Sequence, residues 1–229
     1  METESVQTFK KAFIKIAAIA GILGCLIDTV ATFLFGARIE GYNQFRIPMS
    51  QLGIASSPVA GQISISWILM GTFLILFGLG LRFAFEKNKR SAIIICCLLI
   101  LYGFGEGLIS GIFPADKAGV VHHTWIGYVH NLIGGVGVIA IMLFPLFMMK
   151  LLPDIKWITM PVLVIGTIGV IMFAIGRLYA SPSNFLAIYK GSWQRIYVFV
   201  YYFYIIIIAI NMIARKVPFN YQEKVRIKP

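Results

Sequence analysis

Residues 92–131 read AIIICCLLILYGFGEGLISGIFPADKAGVVHHTWIGYVHN. The first part of this stretch, 92–113, is apolar for longer than a soluble core helix needs. It breaks at Phe113-Pro114-Ala115-Asp116 and restarts as a second apolar run after His122 and His123. About 20 apolar residues cross a bilayer. A span, a polar link and the start of another span therefore lie within this one stretch.

The same pattern extends in both directions. Six apolar segments of crossing length fall near residues 13–35, 63–85, 92–113, 126–149, 157–180 and 196–214. No two-residue alternation marks strands, and backbone groups in lipid must bond within their own segment, so each segment reads as a helix. Composition agrees: 59% of the 229 residues are hydrophobic, 13% are charged and the mean hydropathy is +0.86. A soluble domain of this size could not cover so much apolar surface. The expectation is an all-α polytopic membrane protein, a six-transmembrane-helix bundle forming a single domain over 1–229.

The net charge of +11 raises the question of a nucleic-acid partner. The basic residues lie between the apolar spans and form no common face, which excludes one. They do carry orientation. With the N-terminus in the cytoplasm, fourteen of the twenty lysines and arginines fall on the inner side and six on the outer. The positive-inside rule then places both termini in the cytoplasm, in the cell's inner (plasma) membrane. Lys10 and Lys11 precede the first span as in a signal peptide. That span is too long for a signal h-region, however, and Glu2 and Glu4 spoil a basic n-region, so it reads as permanent. The basic stretch after Ala214 reads as a solvated end near anionic lipid.

The links differ by side. The inner ones, 86–91 and 150–156, are short, while the outer ones, 36–62, 114–125 and 181–195, are longer and mix polar with aromatic residues. Function concentrates in such loops. Cys25, Cys96 and Cys97 all lie within spans, so there is no disulfide framework and they read as small hydrophobes.

Ionisable residues inside the spans collect in one layer. Asp28 lies seven residues before the end of the first span, hence ~10 Å deep at 1.5 Å per residue. Glu106 sits at similar depth in the third span, His130 about one turn into the fourth and Arg177 about one turn below the end of the fifth. Arg195, Tyr197 and Tyr201 open the sixth. Such groups are costly in lipid unless they pair or work. Asp28 or Glu106 with Arg177 is the expected couple. The simpler alternative is a salt bridge that only fixes helix packing. Gly103, Gly107 and Gly111 bracket Glu106 at the small-xxx-small spacing that lets helices approach, and Gly127, Gly134 and Gly137 surround His130.

Asp116 and the three histidines, His122, His123 and His130, form the second candidate group. Pro114 restrains the chain as the third span ends, and Thr124 can cap the fourth. Asp116 is therefore expected within hydrogen-bond or one-water distance of a histidine. Metal chelation from one helix wants histidines at i, i+4, whereas His123 and His130 are seven apart. Haem needs ligands from opposite sides of the iron, whereas all three histidines fall between 122 and 130. No metal and no cofactor is assigned. Ser50, Ser56 and Ser57 lie in the first outer loop without a nucleophile-elbow motif around them.

Several short elements occur in a recognisable order: Gly41-Tyr42, Ser50-Gln51-Leu52-Gly53, Ser57-Pro58, Trp67 with Gly71, Gly111-x-Phe113-Pro114-x-Asp116, and Gly127-x-x-His130. In this order and spacing they resemble the DUF998 family of prokaryotic membrane proteins, over roughly 15–210. The resemblance implies six helices and supplies no activity. Gln51 stands where the family's usual pattern has glutamate, so any charge contributed there is missing.

The candidate polar site is thus Asp28, Ser50, Glu106, Asp116, His122, His123, His130 and Arg177. Three functions remain open. One is binding or movement of a lipid or small amphiphile through an outward-facing cavity, with membrane lipids as partners. The second is an enzyme acting on a lipid or lipid-linked substrate through Asp116 and His130. The third is a structural or regulatory subunit.

Overall fold

The computed structural model describes residues 4–85, 88–120, 122–179, 181 and 183–214. Lys87, Ala180 and the basic stretch after Ala214, on which sequence expectations fall, lie outside the described residues.

Six helices are long and apolar enough to cross a membrane: α1 (Glu4–Gly36), α2 (Ala60–Ala84), α3 (Lys89–Ile112), α4 (Trp125–Leu151), α5 (Lys156–Leu178) and α6 (Lys190–Ala214). The protein is a multi-pass, all-α membrane protein, with no strand among the described residues. Two starts differ clearly from those read by apolarity: α1 begins at Glu4 rather than near residue 13, and α6 at Lys190 rather than near 196. Hydropathy marks only the part of a helix that lies in hydrocarbon. The helix itself continues while its backbone bonds stay satisfied and its polar side chains reach water or protein.

Consecutive helices pack against one another, and α6 closes back on α1, so the six form a ring. The loops 37–59, 113–124 and 179–189 lie at one end of it, here the loop end. The α4–α5 link at the other end is a tight 3₁₀ turn, Pro153–Ile155. Large aromatics fill the interior, with Tyr102, Tyr197, Tyr201, Tyr204, Phe77 and Phe144 fully buried. The outer faces carry exposed Ile16, Val30, Leu132, Trp157 and Phe203, as lipid contact allows. Cys25 and Cys96 are buried, whereas Cys97 faces outward.

Close helix contacts come from glycine. A Cβ on Gly71 of α2 would sit 2.8 Å from the Gly107 Cα of α3, so no side chain fits between the two backbones. On α5, Gly166 receives the ring of Tyr201, and Gly169 lies against Tyr197.

The first loop is strapped to the start of α6. Arg195, only 6% exposed, donates to the carbonyls of Ile47 and Gly191, each at 3.0 Å, to the Tyr42 hydroxyl at 3.0 Å and to Gln44 Oε1. Tyr42 passes its own proton to the Pro48 carbonyl at 3.0 Å, and the Met49 amide donates to Gln194 Oε1 at 2.6 Å. Burial raises the Tyr42 hydroxyl above its ordinary range against the opposing pull of Arg195, which keeps it a donor. Gly41 precedes it at φ +73°, a conformation that favours glycine.

Candidate functional site

The site begins with an irregularity in α3. Residues Gly103–Ile109 form a π-helical segment centred on Glu106, a rare widening that recurs at functional sites. Its glycines let it wedge between neighbours: Gly103 and Gly107 press on Gly71 of α2, and Gly105 presses on the Ile133 carbonyl of α4. The Ser110 hydroxyl donates to the Gly105 carbonyl five residues back, at 3.1 Å. The Glu106 carboxylate lies over Gly134, where a Cβ would stand 2.7 Å from Oε1. Glycine there leaves room for the acid. The Glu106 side chain makes no hydrogen bond among the described residues.

Asp28 approaches from α1. It is 2% exposed, and its Oδ2 accepts from the Tyr202 hydroxyl at 2.8 Å. Tyr102 in turn donates to Tyr202 at 3.4 Å. Asp28 Oδ1 has no hydrogen-bond partner. His130 enters from α4, with Nδ1 2.9 Å from the Phe113 carbonyl. A carbonyl only accepts, so Nδ1 carries the proton, and Nε2 of the neutral ring is an acceptor. Arg177 of α5 donates to Asn131 Oδ1 of α4 at 3.0 Å and lies over the Phe173 ring.

These side chains border one cavity of about 460 Å³ at the loop end of the ring, to which all six helices contribute. Asp28, Ser50, Glu106, His130 and Arg177 line it. Trp67, Val138, Val170 and Phe173 add an apolar and aromatic lining. The expected direct couple between Arg177 and an acid is absent. Arg177 sits at the exposed rim and takes a neutral amide partner, while the buried Asp28 takes a phenol. A rim guanidinium keeps its hydration, so nothing draws it down to a deep carboxylate.

Asp116, His122 and His123 do not line this cavity. Asp116 Oδ1 accepts from the Thr124 hydroxyl at 2.7 Å, and Oδ2 accepts from the Thr124 amide and faces His123 Nδ1, both at 3.1 Å. Thr124 caps α4, its hydroxyl accepting from the Gly127 amide at 3.0 Å. Asp116 thus secures the start of α4. The Thr124 hydroxyl first, and His123 further, hold its carboxyl below the usual carboxylate range. His122 is exposed. Asp116 and His130, paired in the enzyme expectation, are on separate hydrogen-bond systems. Among the described residues, no three His, Cys, Asp or Glu side chains gather as metal ligands would.

The short sequence elements interlock. Phe113 and Asp116, from the F-P-x-D element, hold His130 and lie against Gly127, from the G-x-x-H element. Within Ser50-Gln51-Leu52-Gly53, Ser50 faces the cavity and Leu52 is fully buried. Gly53 leaves space for the Trp67 ring, which overlaps the place a Cβ would take. Gln51 points away from the cavity, donating to the Asp116 carbonyl at 3.1 Å and accepting from the Ala118 amide at 2.8 Å.

Reading by charge missed Trp67, Tyr102 and Tyr202, which complete the cavity. Four tyrosines of α6 stand at 197, 201, 202 and 204, and only the helix's rotation separates Tyr202, facing Asp28, from Tyr201, facing Gly166.

Comparison with curated proteins and with solved structures returns no match. Residues 22–211 match the family model described as a protein of unknown function, DUF998, and the stretch includes every helix that lines the cavity. The chain belongs to the DUF998 family.

Proposed function

We propose that this protein binds, and passes along, a lipid or small amphiphile that enters the cavity sideways from the bilayer. The observation that carries the reading is Leu178. It lines the cavity, yet it is 78% exposed, so the cavity reaches the outer surface of the ring there. Gly135 and Val138 of α4, with Val170, Phe173 and Ala174 of α5, give the α4–α5 seam an apolar inner lining suited to a chain. The two acids, Asp28 of α1 and Glu106 of α3, come from other helices, and a headgroup would come to rest against them. About 460 Å³ falls within the ordinary range of small-molecule sites. The charge bias of the links supports a loop end on the outer side of the plasma membrane with the termini in the cytoplasm, and in that orientation the ligand comes from the outer leaflet.

A second reading, an enzyme on a lipid-linked substrate, draws on one observation. His130 is anchored through Nδ1 with an acceptor nitrogen remaining, and Ser50 lines the same cavity.

Native mass spectrometry of the protein released from gently extracted membranes tests the first reading. The expected result is a retained amphiphile, lost in Gly135→Trp, because a Cβ at Gly135 meets nothing within 4 Å and an indole there would fill the cavity. An adduct-free wild type, or an adduct indifferent to Gly135→Trp, defeats it. Turnover of a lipid ester that is lost in Ser50→Ala would favour the second.

A further inference from the structure

We propose that the headgroup this cavity accepts is a protonated amine, held between Asp28 and Glu106. The proposal rests on the amphiphile-binding reading and names the chemistry of its ligand.

The acids have unused acceptors. Asp28 is 2% exposed, one phenol occupies Oδ2, and Oδ1 has no partner within hydrogen-bond distance although the donors of Thr32 and Trp67 stand near the carboxylate. A buried acceptor left unpaired is costly, and a buried charge more so. The Glu106 side chain, from α3, has no hydrogen bond among the described residues, and Gly134 leaves space beside its carboxylate. Among the described residues no cation forms an ion pair with these groups, and Arg195 and Arg177 act on them only from a distance. Arg195 does not line the cavity and gives its terminal Nη groups to Tyr42, Gln44, Ile47 and Gly191, with only Nε left unpaired. Arg177 is at the rim on Asn131. His130 gives its proton to the Phe113 carbonyl and turns an acceptor elsewhere.

An ammonium supplies what is missing. It carries the opposite charge and three N–H donors, and donors of that kind make the stronger, charge-assisted bonds to carboxylates. Trp67, Tyr102, Tyr197 and Tyr202 surround the same space, and aromatic faces attract cations. A phosphate or carboxylate headgroup would face two acids at like charge. A neutral hydroxyl brings one donor to several acceptors.

Binding of three tritiated probes with the same chain, dodecylammonium, dodecanol and dodecyl phosphate, is measured on the purified protein in nonionic micelles, with empty micelles subtracted. Wild type should bind dodecylammonium at least about tenfold more tightly than dodecanol, a difference of about 1.4 kcal/mol, with dodecyl phosphate weakest. Asp28→Asn and Glu106→Gln should each abolish the preference. Equal binding of the amine and the alcohol to wild type overturns the proposal, and that comparison needs no variant to fold. Tighter binding of dodecyl phosphate, lost in Arg177→Gln, also overturns it and moves the headgroup to the rim. Either result leaves amphiphile binding standing. Failure of all three probes to bind overturns both readings.

Discussion

Gly71→Ala adds one methyl group at the point where α2 and α3 touch backbone to backbone. The new Cβ would lie 2.8 Å from the Gly107 Cα and 3.0 Å from the Leu108 nitrogen, and closer still to the Gly103 carbonyl. Carbon atoms rest at about 3.5–4.0 Å, so the helices must part by roughly 1 Å. The obstacles are main-chain atoms, so no side chain can rotate away. Overpacking of this kind costs about 1–3 kcal/mol. The reciprocal change, Gly107→Ala, puts a Cβ 2.8 Å from the Gly71 nitrogen and 3.0 Å from the Trp67 carbonyl, and so strains the same contact. Once one methyl has separated the helices, the second finds the gap already open. The double variant should therefore lose less than the sum of the two, with a coupling of about 0.5–3 kcal/mol. Gly61→Ala is the control, since a Cβ there meets nothing within 4 Å and the change should stay within about 0.5 kcal/mol. The assay is reversible unfolding in mixed micelles of rising dodecyl sulfate, followed by far-ultraviolet circular dichroism. A Gly71→Ala protein as stable as Gly61→Ala, or strict additivity of the pair, would refute the close-contact reasoning.

Other predictions follow from the loop end. Thr124 and His123 hold the Asp116 carboxyl below its unfolded value. Its contribution should therefore be complete above about pH 4, the ordinary aspartate range, and be lost as pH falls through the lowered folded value, with hydrogen exchange at the Thr124 amide as the readout. Asp116→Asn should speed that exchange at neutral pH, and an unchanged rate counts against Asp116 as the anchor of α4. Gln51→Glu keeps the acceptor for the Ala118 amide but turns a carboxylate oxygen toward the Asp116 carbonyl. Exchange across 116–120 should rise as about 1–3 kcal/mol of local stability is lost, and slower exchange would contradict the assigned hydrogen bonds. For topology, a cysteine at Lys117 should react with an impermeant maleimide in intact cells and one at Lys156 should not. The reverse pattern inverts the protein in the membrane.

The spans were legible because a bilayer sets the length of an apolar run, whatever its residues pack against. The polar layer was legible for a related reason: an acid such as Glu106 stands out in a span because lipid makes it costly. The partner of each polar group was not legible. Arg177 and Asp28 differ in charge and looked like a couple, yet Asp28 meets Tyr202, and which tyrosine of α6 faces it depends on the helix's rotation in the ring. The π segment was likewise hidden. Gly103, Gly107 and Gly111 read correctly as packing residues, but the widening around Glu106 needs the facing glycines Gly71 and Gly134, which belong to other helices. Thr124 as a cap could be read locally, since that bond stays within four residues.

Position 51 shows how far a motif can be read without coordinates. In a Ser-Gln-Leu-Gly stretch near charged spans, a glutamine in place of glutamate looks like a charge removed from the site. The 3₁₀ turn Met49–Gly53 sends neighbouring side chains in different directions, so Ser50 faces the cavity while Gln51 reaches the α3–α4 loop. There an amide serves both needs, a donor for the Asp116 carbonyl and an acceptor for the Ala118 amide, and an ionised carboxylate serves only the second. The substitution therefore acts on the loop that carries Asp116, and through Asp116 on the start of α4. His130 lies on the second turn of that helix, so the residue that looked like a missing charge instead helps fix where a cavity side chain stands.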